Sequence, residues 1–169
     1  METISYEYGD ALYVNLTNRC DCACIFCLRN NGHKGSIYAD DLWLEDVLQK
    51  AVPHLPPVRI NTNGHANLIH GRDVTPGLAG RIDVLSISLN GSTPEEYVAV
   101  TRPRAGAKAW DAMLDFTRSA AQYVPTVMMT IVNKDKTPEE IEACRRMCER
   151  LGATFRVREY IPDLNAKNV

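Results

Sequence analysis

The sequence predicts an α/β protein whose parallel strands alternate with helices and curve into an open or partial barrel. Two observations predict it. The first is a repeated unit of strand, loop, Thr-Pro-Glu-Glu and helix, with Thr93-Pro94-Glu95-Glu96 after one strand-like run and Thr137-Pro138-Glu139-Glu140 after the next. Each tetrad offers an N-cap threonine, a proline in the first turn and a capping-box glutamate, and strands that alternate with helices in this way build parallel sheets. The second is alternation within the strands. Parallel strands are usually buried on both faces and read as unbroken apolar runs. Here one face carries Asn15 and Thr17, then Arg59, Asn61 and Asn63, then Ser86, Ser88 and Asn90, then Thr130, then Arg156, Arg158 and Tyr160, with Leu85, Ile87 and Leu89 opposite. Polar faces on five successive strands, densest toward the carboxyl ends, suit a polar barrel interior with its chemistry at that end.

Residues 11–17 alternate Leu12, Val14 and Leu16 with Tyr13, Asn15 and Thr17 and read as the first strand. A cysteine loop, 18–36, follows; its polar continuation to residue 41, with Asn30-Asn31-Gly32 and Gly35, reads as an open loop passing over the cysteines. Leu42, Leu44, Val47, Leu48 and Val52 then form a helical stripe that stops before Pro53. Strands are expected at 58–63, 82–89, 126–132 and 154–161. A helix over about 109–123 places Trp110, Met113, Leu114 and Ala121 in one register. The helix after Thr137 shows Ile141, Cys144, Cys148 and Leu151 on one face and closes at Gly152.

The 169 residues suffice for one domain with a sizeable core. An apolar share of 45% with 24% charged residues is that of ordinary globular proteins. A net charge of −2 gives no electrostatic case for nucleic acid or an anionic membrane as partner. The polar, acidic stretch 1–10 is unlike a secretory leader, and no apolar run approaches a membrane span, so a cytoplasmic setting is expected.

Four of the six cysteines fall within the eight residues Cys20-Asp-Cys-Ala-Cys24-Ile-Phe-Cys27. In a reducing compartment such thiolates are metal ligands rather than disulfides, and soft sulfur holds zinc or iron–sulfur clusters. The spacing Cys20-x3-Cys24-x2-Cys27 can hold three corners of a cubane and leave one iron open, unlike the four-cysteine ligation usual for electron transfer.

A CxxxCxxC loop directly after a first strand, with Phe26 before the last cysteine, resembles the signature of the radical S-adenosylmethionine (SAM) enzymes. Leu16-Thr-Asn-Arg-Cys20, Arg59-Ile-Asn-Thr-Asn-Gly64-His65 and Leu85-Ser-Ile-Ser-Leu-Asn90 most closely resemble the small TatD-associated radical SAM proteins, over residues 10 to 162. The resemblance implies a partial (β/α)6 TIM-type barrel and a [4Fe-4S] cluster held by Cys20, Cys24 and Cys27. It implies S-adenosylmethionine chelated at the open iron and cleaved to methionine and a 5′-deoxyadenosyl radical, which abstracts hydrogen from a substrate that stays unidentified. Phe26, Asn61, Asn63, Ser88, Asn90 and Thr130 fall where such proteins contact the cofactor. Amides and hydroxyls both donate and accept, which suits a ribose diol or a zwitterion; they equally satisfy neighbouring backbone groups. A flavodoxin or ferredoxin as electron donor is implied as well, and the substrate is either a small molecule or a docked protein.

One part of that pattern is missing. Between Cys27 and Val58 lie 30 residues, room for one β/α unit where the family pattern needs two, and no glycine-rich second-strand motif is present. The seam is placed near Glu45 and Asp46. A barrel without an interior strand exposes two unpaired edges, which favours an omitted segment over a natural gap.

Other readings remain beside these. Zinc could be held by Cys20, Cys24, Cys27 and either Cys22 or His33, or the chain could keep a cluster without binding SAM. Cys22 is expected to be a spare residue turned outward. Arg158 and Tyr160 suit either an anionic ligand or a structural ion pair with an acidic neighbour. Cys144 and Cys148 are expected in the core, and His33, Lys34, His65, His70, Arg102 and Arg104 in solvated loops.

Overall fold

The computed structural model describes residues 5–8, 11–14, 20–27 and 57–160. Four strands, β3 (Arg59–Thr62), β4 (Val84–Ser88), β5 (Thr126–Val132) and β6 (Thr154–Arg158), form one parallel sheet in chain order. Every crossover between them carries helix: α1 (Ala66–His70) and a 3-10 turn (Thr75–Leu78), then α2 (Pro94–Thr101) and α3 (Lys108–Ala120), then α4 (Pro138–Arg150). The expected α/β class is therefore present as a four-stranded parallel sheet. Among the described residues no helix is long and apolar enough to cross a membrane.

The amino end differs from expectation. The strand expected at 11–17 is seen as β2 (Ala11–Val14), paired antiparallel with an unforeseen β1 (Ser5–Tyr8), and residues 15–17 lie outside the described residues. Ser-Tyr-Glu-Tyr is too short and polar to announce a strand; pairing supplies what its pattern lacks. β2 lies near the edge strand β3, with no ladder between them among the described residues. The helical stripe over 42–52, the seam near Glu45 and Asp46, and His33 and Lys34 lie outside the described residues.

The helices start and stop where their termini are satisfied. In α4 the Thr137 hydroxyl accepts the Glu140 N–H at 3.2 Å and the Glu140 carboxylate accepts the Thr137 N–H at 2.7 Å, a reciprocal capping box. At its other end Gly152, at φ 72°, donates to the Glu149 carbonyl while Ala153 donates to that of Cys148, a Schellman closure. The first tetrad behaves differently from expectation. Thr93 accepts from the Glu96 N–H, but the Glu96 carboxylate takes the Ser92 N–H and hydroxyl and pairs with Lys136. Lys136 is almost wholly buried, and burial pushes its ammonium below the ordinary lysine range. A full ammonium charge as partner outweighs the box, and the pair ties the start of α2 to the loop after β5.

Register fixes the two faces of the sheet. Thr62, Ile87, Met129 and Phe155 share one row, and Leu85 and Val127 another, under Trp110, Met113 and Phe116 of α3 and Cys144 and Cys148 of α4. On the other face Asn61 stands beside Ser86, and Ser88 beside Thr130 beside Arg156. The polar face expected from alternation is therefore real, with Val84, Met128 and Val132 interspersed. Gly91 is required by packing, since a Cβ there would lie 2.7 Å from the Tyr97 nitrogen and 2.9 Å from its Cα.

Two outcomes follow from this packing. Gly91→Ala pushes the start of α2 off β4 and lowers unfolding free energy by about 1–3 kcal/mol, measured by urea denaturation. Burial pushes the Cys144 thiol up to about 11 and the Cys148 thiol up to about 12, whereas unfolded thiols ionise near 9.0. The native state keeps protons that the unfolded chain loses, so stability falls as pH rises from 9 toward 11. A Cys144→Ala, Cys148→Ala variant should show a flatter decline in melting temperature over that interval.

Candidate functional site

The cysteine loop, residues 20–27, is placed by the backbone of α2. The last carbonyls of a helix have no partner within it. Here those of Val100 and Thr101 accept the N–H groups of Ile25 and Ala23 at 3.0 and 2.9 Å. Arg102 turns the chain at φ 45°, Arg104 donates its N–H to the Asp21 carbonyl at 2.8 Å, and Cys22 bridges to Pro103. Residues 101–104 are thus the support of the cysteine loop; the side chains of Arg102 and Arg104 are exposed as expected. A turn from the Cys27 N–H to the Cys24 carbonyl, 3.1 Å, brings those two residues together.

The thiols differ from one another. Cys20 is exposed and Cys22, Cys24 and Cys27 are half-buried, so Cys22 is not turned outward as expected. Its bond with Cys20 works to lower the Cys22 thiol, but the bond with Cys24, burial and the Asp21 charge outweigh it and push it up to about 12. Cys24 is held below the ordinary thiol range, chiefly by the hydrogen bond from Cys22. The sulfurs of Cys20 and Cys22 and a carboxylate oxygen of Asp21 all lie within 4.8 Å of one another. Soft sulfur from one loop fits a soft metal or an iron–sulfur cluster, and Asp21 is a member that sequence reasoning missed.

The end of β3 meets this loop. Gly64, at φ 80°, lets Asn63 and His65 both approach Asp21; a Cβ there would sit 3.0 Å from Met113 Cγ. The Asn63 amide donates to Asp21 Oδ1 and lies 3.7 Å from Cys22 Sγ and 3.9 Å from Cys20 Sγ. His65 is fully buried, with Nδ1 2.7 Å from Asp21 Oδ2 and Nε2 2.6 Å from the Tyr97 hydroxyl. A carboxylate only accepts, so the Nδ1–H donates to Asp21, and Nε2 faces the Tyr97 hydroxyl. Burial, then the Cys22 and Asp21 charges, hold the Tyr97 phenol above its ordinary range, protonated and able to donate. The expected solvated position of His65 is thus corrected, because its partners at positions 21 and 97 are invisible to local sequence. His70 is exposed as expected.

The remaining candidates scatter along the polar face. Phe26 is half-buried within the loop. Asn61 is exposed and accepts from Arg59 Nε at 3.2 Å. Ser88 is half-buried beside the buried Thr130, whose carbonyl accepts the Leu89 and Asn90 N–H groups at 2.8 and 3.3 Å; Asn90 is buried at φ 56°. Arg158 has no acidic partner among the described residues, and Tyr160 stacks under Lys134 at 4.8 Å. Cys144 and Cys148 are fully buried in the core, as expected.

Limited alkylation of the metal-free protein at neutral pH should modify Cys24 before Cys22, with Cys144 and Cys148 last, as read by peptide mass spectrometry. Equal labelling of Cys22 and Cys24 would contradict this order of thiol reactivity.

No protein-family model, no curated protein and no solved structure matches this chain.

Proposed function

We propose that this chain is a radical SAM enzyme, built as a partial (β/α)6 barrel and working in a reducing, cytoplasmic setting. The observation that carries the reading is a four-cysteine loop held beyond the carboxyl end of β3, next to a parallel sheet with one polar face. Four strands wound in chain order, with β2 near β3, accord with part of such a barrel. When bound, a [4Fe-4S] cluster and S-adenosylmethionine supply one-electron cleavage of the sulfonium and hydrogen abstraction from a substrate.

The chain's own groups bind and orient. Cys20, Cys24 and Cys27 are the ligands, and Cys24 is already biased toward the thiolate that ligation requires. Asn63 offers an amide N–H to the sulfurs of Cys20 and Cys22, the kind of bond that tunes a cluster. Phe26, Asn61, Ser88, Asn90 and Thr130 supply an aromatic surface, amides and hydroxyls for the cofactor at the same end of the sheet. A flavodoxin or ferredoxin supplies the electron.

A second reading is favoured by one specific observation. Cys20, Asp21 and Cys22 offer three ligand atoms within 4.8 Å of one another, which suits zinc completed by a further thiolate. Colour separates the two, since zinc is d10 and its protein colourless.

Anaerobic reconstitution with iron and sulfide, dithionite reduction and low-temperature EPR, with and without S-adenosylmethionine, tests the proposal. About four irons per chain and a reduced signal that changes with S-adenosylmethionine are expected. Cys20→Ala, Cys24→Ala and Cys27→Ala should each lose the signal, and Cys22→Ser should keep it. A colourless protein holding one zinc per chain would overturn the proposal.

A further inference from the structure

Behind the cysteine loop stands a run of three titratable side chains that the proposed function does not use. Asp21 reaches His65, and His65 reaches Tyr97, through contacts of 2.7 and 2.6 Å. His65 and Tyr97 are both fully buried, while the Asp21 side chain keeps 18% of its exposure. Two of the three are thus core residues, and the third belongs to the loop. We propose that Asp21–His65–Tyr97 is a pin that fixes the Cys20-Asp21-Cys22 segment against the core, with His65 the positioning residue for the metal-holding loop. The inference rests on the reading of this loop as the holder of a metal or cluster.

The pin is rigid at its inner end. Tyr97 sits on α2 with its ring 5.5 Å from that of Trp110, its backbone is pressed against Gly91, and its edge-on ring meets His65 at 80°. Both nitrogens of His65 are engaged, so the imidazole has one orientation. The loop's own backbone bonds hold Asp21, Ala23 and Ile25 through main-chain groups and leave the Asp21 side chain to be directed by something else. His65 directs it. The consequence reaches the sulfurs, because the other Asp21 oxygen takes the Asn63 amide, which lies within 4 Å of the sulfurs of Cys20 and Cys22. One carboxylate therefore carries the orientation of His65 to the place where the Asn63 amide faces the sulfurs. Ligand-orienting partners of this kind govern metal affinity and cluster potential.

A histidine buried only for packing would make a different demand. His65→Asn keeps an amide near the position of Nδ1 and so keeps a donor to Asp21, whereas His65→Gln carries its amide toward the position of Nε2 and abandons Asp21. Packing is disturbed by both; the pin is cut by one.

The test compares these two variants with the wild type and with Asp21→Ala, which cuts the pin from the loop side. Three readouts are taken: iron and sulfide per chain after anaerobic reconstitution, the EPR line shape of the reduced cluster, and the alkylation rate of Cys22 in metal-free protein. His65→Gln and Asp21→Ala should each weaken iron retention against a chelator by at least about tenfold and alter the line shape, with His65→Asn close to wild type. Alkylation of Cys22 should be faster in His65→Gln and Asp21→Ala and unchanged in His65→Asn. Equal effects of the two His65 variants, or a wild-type response from Asp21→Ala, would overturn the pin. If the wild type itself takes up no iron, the proposed function fails, and the Cys22 alkylation pattern alone decides the pin.

Discussion

Unpartnered backbone groups are the constraint on which this arrangement depends. Helix α2 ends after only eight residues with carbonyls that need donors, and the cysteine loop has N–H groups that need acceptors because it belongs to no strand or helix. The bonds from Ala23 and Ile25 to Thr101 and Val100 satisfy both at once. The loop therefore takes its position from a helix some 75 residues downstream, and that helix takes its own from Gly91, where nothing larger than hydrogen fits beneath Tyr97. Loop, helix and β4 form one mechanical unit.

The sheet supplies the second half of the design. A parallel strand whose outer face is polar forgoes the burial that usually stabilises it, at roughly 25 cal/mol per Å² of apolar surface not removed from water. Ser86 and Thr130 are buried polar groups on the two central strands, and Ser88 stands beside Thr130. Such a face is retained where polar groups are wanted, and the loops at the carboxyl ends of β3 and β4 carry Asn63, His65 and Asn90. At that end Glu96 and Lys136 join the start of α2 to the loop after β5 through a partly buried ion pair, which is weak evidence for stability and better evidence for fixed geometry.

What could be read from the sequence was local or periodic. The Thr137 box and the Gly152 closure involve residues three to five apart, and the chain at those positions has few other choices. Strand parity was legible for the same reason, since a period of two needs no knowledge of the partner, and the register of Ser88 with Thr130 and Arg156 follows it. The illegible parts are contacts across long stretches of chain. Glu96 had the same local pattern as Glu140 but found Lys136, 40 residues away, and a charged partner overrode the box. His65 followed Asn-Gly, a turn signal, and so read as solvated; Asp21 and Tyr97 lie 44 and 32 residues from it. Ser5–Tyr8 is a strand only because β2 pairs with it.

The six cysteines show why residue type alone does not assign chemistry. Cys144 and Cys148 are one helical turn apart in an apolar layer, where burial keeps them protonated and makes them small core residues. The loop cysteines are polarised against one another instead, with Cys22 donating and Cys24 accepting. Metal sites in small domains commonly order only when the metal arrives, because nothing else repays the entropy of gathering thiols. Here the helix end, the Pro103 bridge and the Asn63 and His65 side chains already hold Asp21 with the sulfurs of Cys20 and Cys22 within 4.8 Å of one another. A loop held by its surroundings in this way leaves less ordering for a metal to impose, so more of the binding free energy remains available for affinity.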